Sequence, residues 1–259
     1  MSSHTCPNCN NTFVGSFCNN CGQRLVHRIT MSHIAHDLTH AFTHTDKGFF
    51  YMMGQLFLRP GLVAREYIVE AKRKRYFPPF QYLIILGTIA TIIVVNSHFI
   101  ENTMRSMEQI TGGSSKGSAQ QAAFMQKLQT VQSKYYNIMI MLQLPFYSLA
   151  AFLFYRRKYK YNYAELLTLQ TFVTGQHTIL SILIMMVLFI DTGVAPYLNM
   201  VILLVSMAYH TWVYMQFFGE KSVAGFFKAL GSYLLGIIFF FIFAIIIGMI
   251  IGLVIMMSR

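Results

Sequence analysis

Four cysteines open the chain at a spacing that can hold a metal: Cys6, Cys9, Cys18 and Cys21 read C-x2-C-x8-C-x2-C. Each C-x2-C pair turns tightly enough to aim two sulfurs at one point, and two such knuckles complete a tetrahedral thiolate shell for one Zn2+. Four protein ligands leave no coordination position open, so the expected ion is structural and metal catalysis is not expected. About twenty residues bury too little apolar surface to fold unaided. Metal binding is therefore expected to supply the folding free energy, with Phe13 and Phe17 as the small core. Ribbons of this kind present surfaces to protein or nucleic acid, and the type alone does not choose between them.

Histidines form two further sets. His33, His36, His40 and His44 are spaced so that a helix gathers them in a stripe about 80° wide, with Asp37 alongside. Three readings stand: a solvated face opposite Ile34, Leu38, Ala41 and Phe42, a pH-sensitive contact, or a metal site. His177 and His210 are equidistant from the turn at residues 191–196, so an antiparallel hairpin places them at one depth. Gln143, Gln170 and Gln176 are available to join them. Interhelical hydrogen bonding, a transport or proton path, and metal or haem ligation are the alternatives there. No Walker loop, nucleophile elbow, HExxH motif or intramembrane carboxylate pair accompanies them, which leaves an enzyme the weakest reading.

The elements that must position these residues are membrane helices. Apolar residues make up 55% of the 259 and charged residues 11%, a balance foreign to soluble domains. After Phe80 the apolar residues cluster in runs of about 20 or more, enough to cross a core of roughly 30 Å. The expected fold is an all-α polytopic membrane protein with spans near 80–99, 136–155, 164–190, 197–218 and 233–257. A kink is expected at Pro145 in the second span and a tilt in the long third. The domains read as a zinc ribbon over 1–26, an amphipathic interfacial segment over 27–79 and a membrane domain over 80–259. Residues 100–135 form an external loop, glycine- and serine-rich over 112–117 and helix-compatible after residue 122. Gly248 and Gly252 in the last span permit close helix approach and hint at a homo-oligomer.

Charge sets orientation. The formal charge is +11, and nine of the 20 Lys and Arg precede residue 76, next to the first span, which favours anionic headgroups over nucleic acid as partner. Along an alternating path, fifteen Lys and Arg fall on the side of the N terminus and five on the other, so the N terminus is expected inside and the C terminus outside. A reducing cytosol keeps the four thiols free for metal. The first thirty residues lack the apolar run of a signal peptide, so the head is expected in the mature protein. The 11-residue apolar run 48–58 is too short to cross and is expected to lie in the headgroup layer or re-enter. Pro60 and Gly61 break it; helical periodicity then resumes over 62–75, with Leu62, Tyr67 and Ile68 on the apolar side. The helix ends in Lys72, Arg73, Lys74 and Arg75, a basic run expected at the membrane surface or as a topology anchor.

The ribbon's end, Phe17-Cys18-Asn19-Asn20-Cys21-Gly22-Gln23, the stretch Leu58-Arg59-Pro60-Gly61 with Arg65-Glu66-Tyr67, and the block KRKRYFPPF over residues 72–80 resemble a bacterial family of polytopic proteins catalogued as a domain of unknown function. The resemblance covers about the first third of the chain and implies an inner-membrane location and no activity. Together these features lead to a membrane scaffold or regulator whose zinc ribbon and basic helices dock a protein partner. The alternative is a small transporter or carrier using the polar residues of spans two to four.

Overall fold

A computed structural model describes residues 3–25, 28–32, 34, 48–110 and 119–257; side chains of 106–110, 119–125, 192, 196 and 251–257 are not described. His33, His36, His40 and His44 lie outside the described residues. The chain is an all-α polytopic membrane protein, with five helices long and apolar enough to cross a membrane. The span helices are Pro79–Asn96, Tyr136–Tyr159, Tyr163–Met185, Ala195–Phe218 and Val223–Met257, and the third continues as a 3-10 turn over Met186–Phe189.

Local chemistry sets where these helices begin and end. Pro79 occupies the first turn, where its missing N–H would have been unpaired in any case. The second span runs on through Pro145 and ends at Lys160, which takes a left-handed conformation (φ 53°). Two residues later a capping box starts the third: Asn162 Oδ1 accepts the Glu165 N–H at 2.8 Å, and the Glu165 carboxylate accepts the Asn162 N–H at 2.9 Å. The fifth helix starts at Val223, well before the expected residue 233. Ser222 Oγ accepts the Gly225 N–H at 3.0 Å, and Lys228 lies over the Tyr155 ring at 4.5 Å, so the extra turns have a cap and a partner for their charge. At 35 residues this helix is about 52 Å long, more than the hydrocarbon core requires.

The third span is central and packs on the first, second and fourth, while the fifth leans on the second and fourth with its outer face, Ile238 to Ile250, exposed. Between the first two spans, helices Phe99–Ile110 and Ala119–Lys134 close one end of the bundle; Phe99 is buried beside Met185, Leu188 and Leu198, and Asn199 donates to Thr103 at 2.9 Å.

Two short helices, Gly48–Leu58 and Pro60–Ile68, form a hairpin against the fourth span. Tyr209 donates to the Leu56 carbonyl at 3.1 Å, and the Gly61 N–H donates to Gln216 Oε1 at 3.0 Å. A Cβ at Gly61 would sit 2.4 Å from both Gln216 Cβ and the Val213 carbonyl oxygen, so this approach requires glycine.

The helix expected over 62–75 stops at Ile68, and its buried face is Val63, Ala64, Tyr67 and Ile68, with Leu62 exposed. Ala71 turns the chain at φ 56°, and Arg73–Arg75 form a single 3-10 turn. The cause is Glu66. Its carboxylate accepts from Arg59 Nη1 at 2.9 Å and from the Tyr76 hydroxyl at 2.5 Å, with Arg75 Nη1 at 3.8 Å, drawing the end of the basic run back over the helix. Burial pushes the Glu66 carboxyl up, but the Tyr76 hydroxyl and the charges of Arg59, Lys72 and Arg75 outweigh it and hold the group below its ordinary value.

Gly61→Ala is expected to lower the thermal unfolding midpoint in detergent through a clash costing about 1–3 kcal/mol. Gly54→Ala, where a Cβ meets nothing within 4 Å, should match or slightly exceed the parent. Glu66→Gln is expected to cost about 1–3 kcal/mol at pH 7 by removing charge-assisted hydrogen bonds. Because the folded carboxyl is depressed, this contribution is present above the ordinary value of 4.5 and is lost as pH falls through the lower folded value. Unfolding midpoints of parent and variant should therefore converge in acid, and a gap unchanged down to low pH would contradict this role.

Candidate functional site

The ribbon is built twice on one plan. Strands β1 (Ser3–Thr5) and β2 (Thr12–Val14) pair antiparallel around the first knuckle, and an isolated bridge between Phe17 and Arg24 flanks the second. In the first knuckle the Cys6 N–H donates to the Asn11 carbonyl at 2.9 Å and the Asn10 N–H to the Cys6 carbonyl at 2.8 Å. In the second, the Cys18 N–H donates to the Gln23 carbonyl and the Gly22 N–H to the Cys18 carbonyl, each at 2.8 Å. The residue four after the leading cysteine is left-handed in both, Asn10 at φ 59° and Gly22 at φ 72°, the two residue types that tolerate that region best.

This geometry brings Cys6, Cys9, Cys18 and Cys21 together with all sulfurs within 4.8 Å of one another, a cluster able to hold one metal ion. The Cys6–Cys21 and Cys9–Cys18 sulfurs are 3.6 Å apart. A tetrahedron with metal–sulfur bonds of about 2.3 Å has edges of roughly 3.8 Å, so the shell needs little adjustment to close on an ion of that kind. The Cys21 backbone N–H pulls the Cys18 thiol down to about 6, and the Gln23 N–H likewise lowers Cys21, while burial pushes Cys6 up to about 11. The backbone N–H groups thus favour the thiolate form of Cys18 and Cys21, the form that binds a cation. Phe13 is buried with these cysteines and Leu25, but Phe17 is not core: it stands 62% exposed on the rim of a crevice.

Two polar contacts outside the cysteine pattern fix the ribbon to the bundle. Gln23, 3% exposed, donates from Nε2 to the Ala71 carbonyl at 2.9 Å and accepts the Lys74 N–H on Oε1 at 3.2 Å. Arg28 grips Glu165 with a fork, Nε to Oε1 at 2.6 Å and Nη2 to Oε2 at 2.8 Å, and reaches the Lys160 carbonyl at 2.7 Å. Asn162 donates to the Ile29 carbonyl at 3.0 Å. The signal for this contact was in the sequence: Glu165 is the one carboxylate inside the five span helices, and Asn162 three residues before it makes a cap. The basic run is also tied in. Lys72 pairs with Glu70 at 2.7 Å, Arg73 lies over Tyr67 at 5.8 Å, and Arg75 lies over Tyr51 at 5.4 Å.

Inside the bundle, His177 and His210 line one cavity of about 200 Å³ together with Gln143 and Gln170. His177 Nε2 is 3.2 Å from Ser181 Oγ one turn along. His210 is 1% exposed, and neither ring nitrogen has a hydrogen-bond partner. Its ring stacks on Tyr214 with centroids 4.0 Å apart and leans on Tyr233 at 5.0 Å. Gln170 accepts from the Tyr214 hydroxyl at 3.1 Å. Gln176 does not join the group. It faces the first span, where its Oε1 accepts from the Tyr82 hydroxyl at 2.8 Å, because one residue before His177 is about 100° around the helix. Asn199, Ser206 and Tyr233 line the cavity without having been singled out from sequence, and Tyr233 donates to Ser206 at 2.8 Å. No charged side chain lines it among the described residues. Gly248 lies on the exposed face of the fifth helix, with nothing within 4 Å of an added Cβ; Gly252 follows one turn later.

No curated protein and no solved structure matches the chain. Residues 46–91, which hold the hairpin, the Glu66 cluster, the basic run and the start of the first span, match a family model described as "Protein of unknown function (DUF3667)", and that segment is similar to this family.

Proposed function

We propose that the chain is a membrane-anchored docking protein. Its N-terminal ribbon, closed by one zinc ion on Cys6, Cys9, Cys18 and Cys21, offers a protein partner a fixed surface beside an anionic bilayer. Bound zinc would stabilise the two knuckles as one unit and present no open coordination position. The observation that carries the reading is the double attachment of the ribbon, through Gln23 to the loop at Ala71 and Lys74 and through Arg28 to Glu165. A ribbon serving only as a mobile tether would have no need of it. Charge asymmetry supports a cytosolic N terminus. The first span's start, the second's end, the third's start, the fourth's end and the fifth's start share one side, and Arg156, Arg157, Lys158, Lys160, Lys221 and Lys228 fall there with the ribbon. A bacterial inner membrane fits this arrangement and the reducing compartment that four thiolates require.

A second reading has its own support. The cavity at His177 and His210 is uncharged, mixes polar and apolar side chains from all five spans, and holds an imidazole with two unpartnered nitrogens, which is costly unless something binds it. A small carrier for an uncharged polar solute would use it.

Protein purified in mild detergent is expected to carry about one zinc per chain, and Cys18→Ser should lose the metal and the recovery of cross-linked partner while still inserting in the membrane. Partner recovery that survives loss of metal would sink the docking role of the ribbon. For the second reading, proteoliposomes shrunk by a glycerol gradient should reswell faster than empty liposomes, and His210→Phe should abolish the difference. Rates equal to those of empty liposomes would remove the carrier reading.

A further inference from the structure

The latched ribbon does not lie flat on the bundle. Between them is a crevice of about 510 Å³, with one wall from the second knuckle and the other from the basic segment and the beginnings of the first and third spans. Arg24 and Lys74 stand exposed at its edge with Arg73 beside them, and its apolar lining includes Phe17, Tyr67 and Phe80. Among the described residues, the acids near this end of the bundle are committed elsewhere. Glu66 holds Arg59, Tyr76 and Arg75; Glu70 holds Lys72; Glu165 holds Arg28; Glu220 holds Lys158 and Tyr159. No carboxylate lines the crevice among the described residues, and Arg24 and Lys74 have no acidic partner there.

We propose that this crevice is a binding site for one anionic phospholipid, with its phosphate between the Arg24 and Lys74 side chains and its acyl chains running over the aromatic lining toward the first span. Three features select this chemistry. Uncompensated cations at the rim call for an anion. The aromatic and proline lining, with Pro78, Pro79 and Phe80 at the head of a membrane span, calls for an apolar extension, which a soluble anion lacks. Crossing from charged rim to apolar floor at the end of a span matches the order of a lipid from headgroup to tail. This goes beyond general attraction of the basic run to a membrane, because one of the two free cations belongs to the ribbon. The site therefore exists only when the cysteine cluster is folded and Gln23 is latched.

The test uses full-length protein, delipidated in mild detergent and titrated with phosphatidylglycerol or phosphatidylcholine, with bound lipid counted by native mass spectrometry. One phosphatidylglycerol per chain should be retained in preference to phosphatidylcholine. Removing one cation near an anionic group should weaken retention about fivefold, so Arg24→Gln and Lys74→Gln should each lose about that much and the double variant roughly thirtyfold. Arg157→Gln removes a cation at the same end of the bundle but outside the crevice and should bind like the parent. Zinc content equal to the parent's shows that a variant is folded in the ribbon; Lys74, outside the ribbon, provides the second variant if Arg24→Gln loses metal. Equal weakening by Arg157→Gln would reduce the effect to diffuse surface charge and overturn the site. Equal retention of phosphatidylcholine, or displacement of phosphatidylglycerol by millimolar inorganic phosphate, would also overturn it, the latter by assigning the crevice to soluble phosphate.

Discussion

The Glu66 carboxylate is the contact on which the surface architecture depends. One side chain in a nine-residue helix accepts from Arg59 before that helix and from Tyr76 after it, with Arg75 at longer range. Satisfying a half-buried carboxylate with several donors is the arrangement in which burying a charge is tolerable. It closes the chain into a loop, and the loop's middle, Ala71 to Lys74, supplies the carbonyl and N–H that Gln23 holds. The ribbon thus rests on a surface that Glu66 shapes. Arg59, Glu66, Arg75 and Tyr76 all fall within the segment similar to the family of unknown function.

How much of this was legible depended on whether a residue's role is set by its near neighbours in sequence. The cysteine cluster was legible because a knuckle is a local object: C-x2-C, a left-handed residue and two backbone hydrogen bonds complete it within six residues. That His177 and His210 line one cavity follows from their placement on two antiparallel helices joined by a short connection, which leaves little freedom of register. The facing of Gln176, one residue from His177, was not legible, since helix rotation is set by which neighbour packs where. Phe17 and Phe13 look alike in sequence; only the crevice opposite the second knuckle separates a rim residue from a core one. The end of the helix at Ile68 is a tertiary override. Residues 69–75 carry helical periodicity, but the Tyr76 hydroxyl and the Arg75 charge drawn back to Glu66, with two backbone groups claimed by Gln23, favour a turn.

Metal and membrane are coupled in this design through geometry. Closing the cysteine shell fixes the second knuckle, the second knuckle presents Gln23, and Gln23 holds the loop that carries half the basic run. On the other flank, Arg28 caps the third span's capping box from outside, so the start of the most buried helix is tied to the same head. The head therefore has two direct contacts with the bundle. One ends on the first span and the other on the third.

Those two spans pack on each other, and the third also carries His177 and Gln170 toward the intramembrane cavity. The docking reading and the cavity reading therefore need not compete for the same residues. Glu165, where the head attaches, and His177, in the cavity, lie twelve residues apart on one unbroken helix, about 18 Å along its axis. The capping box at Asn162 and Glu165 and the cavity at His177 are thus held in fixed register by one helix. The same helix joins the one carboxylate of the five span helices, held from outside by Arg28, to the cavity where His177 and the buried His210 meet.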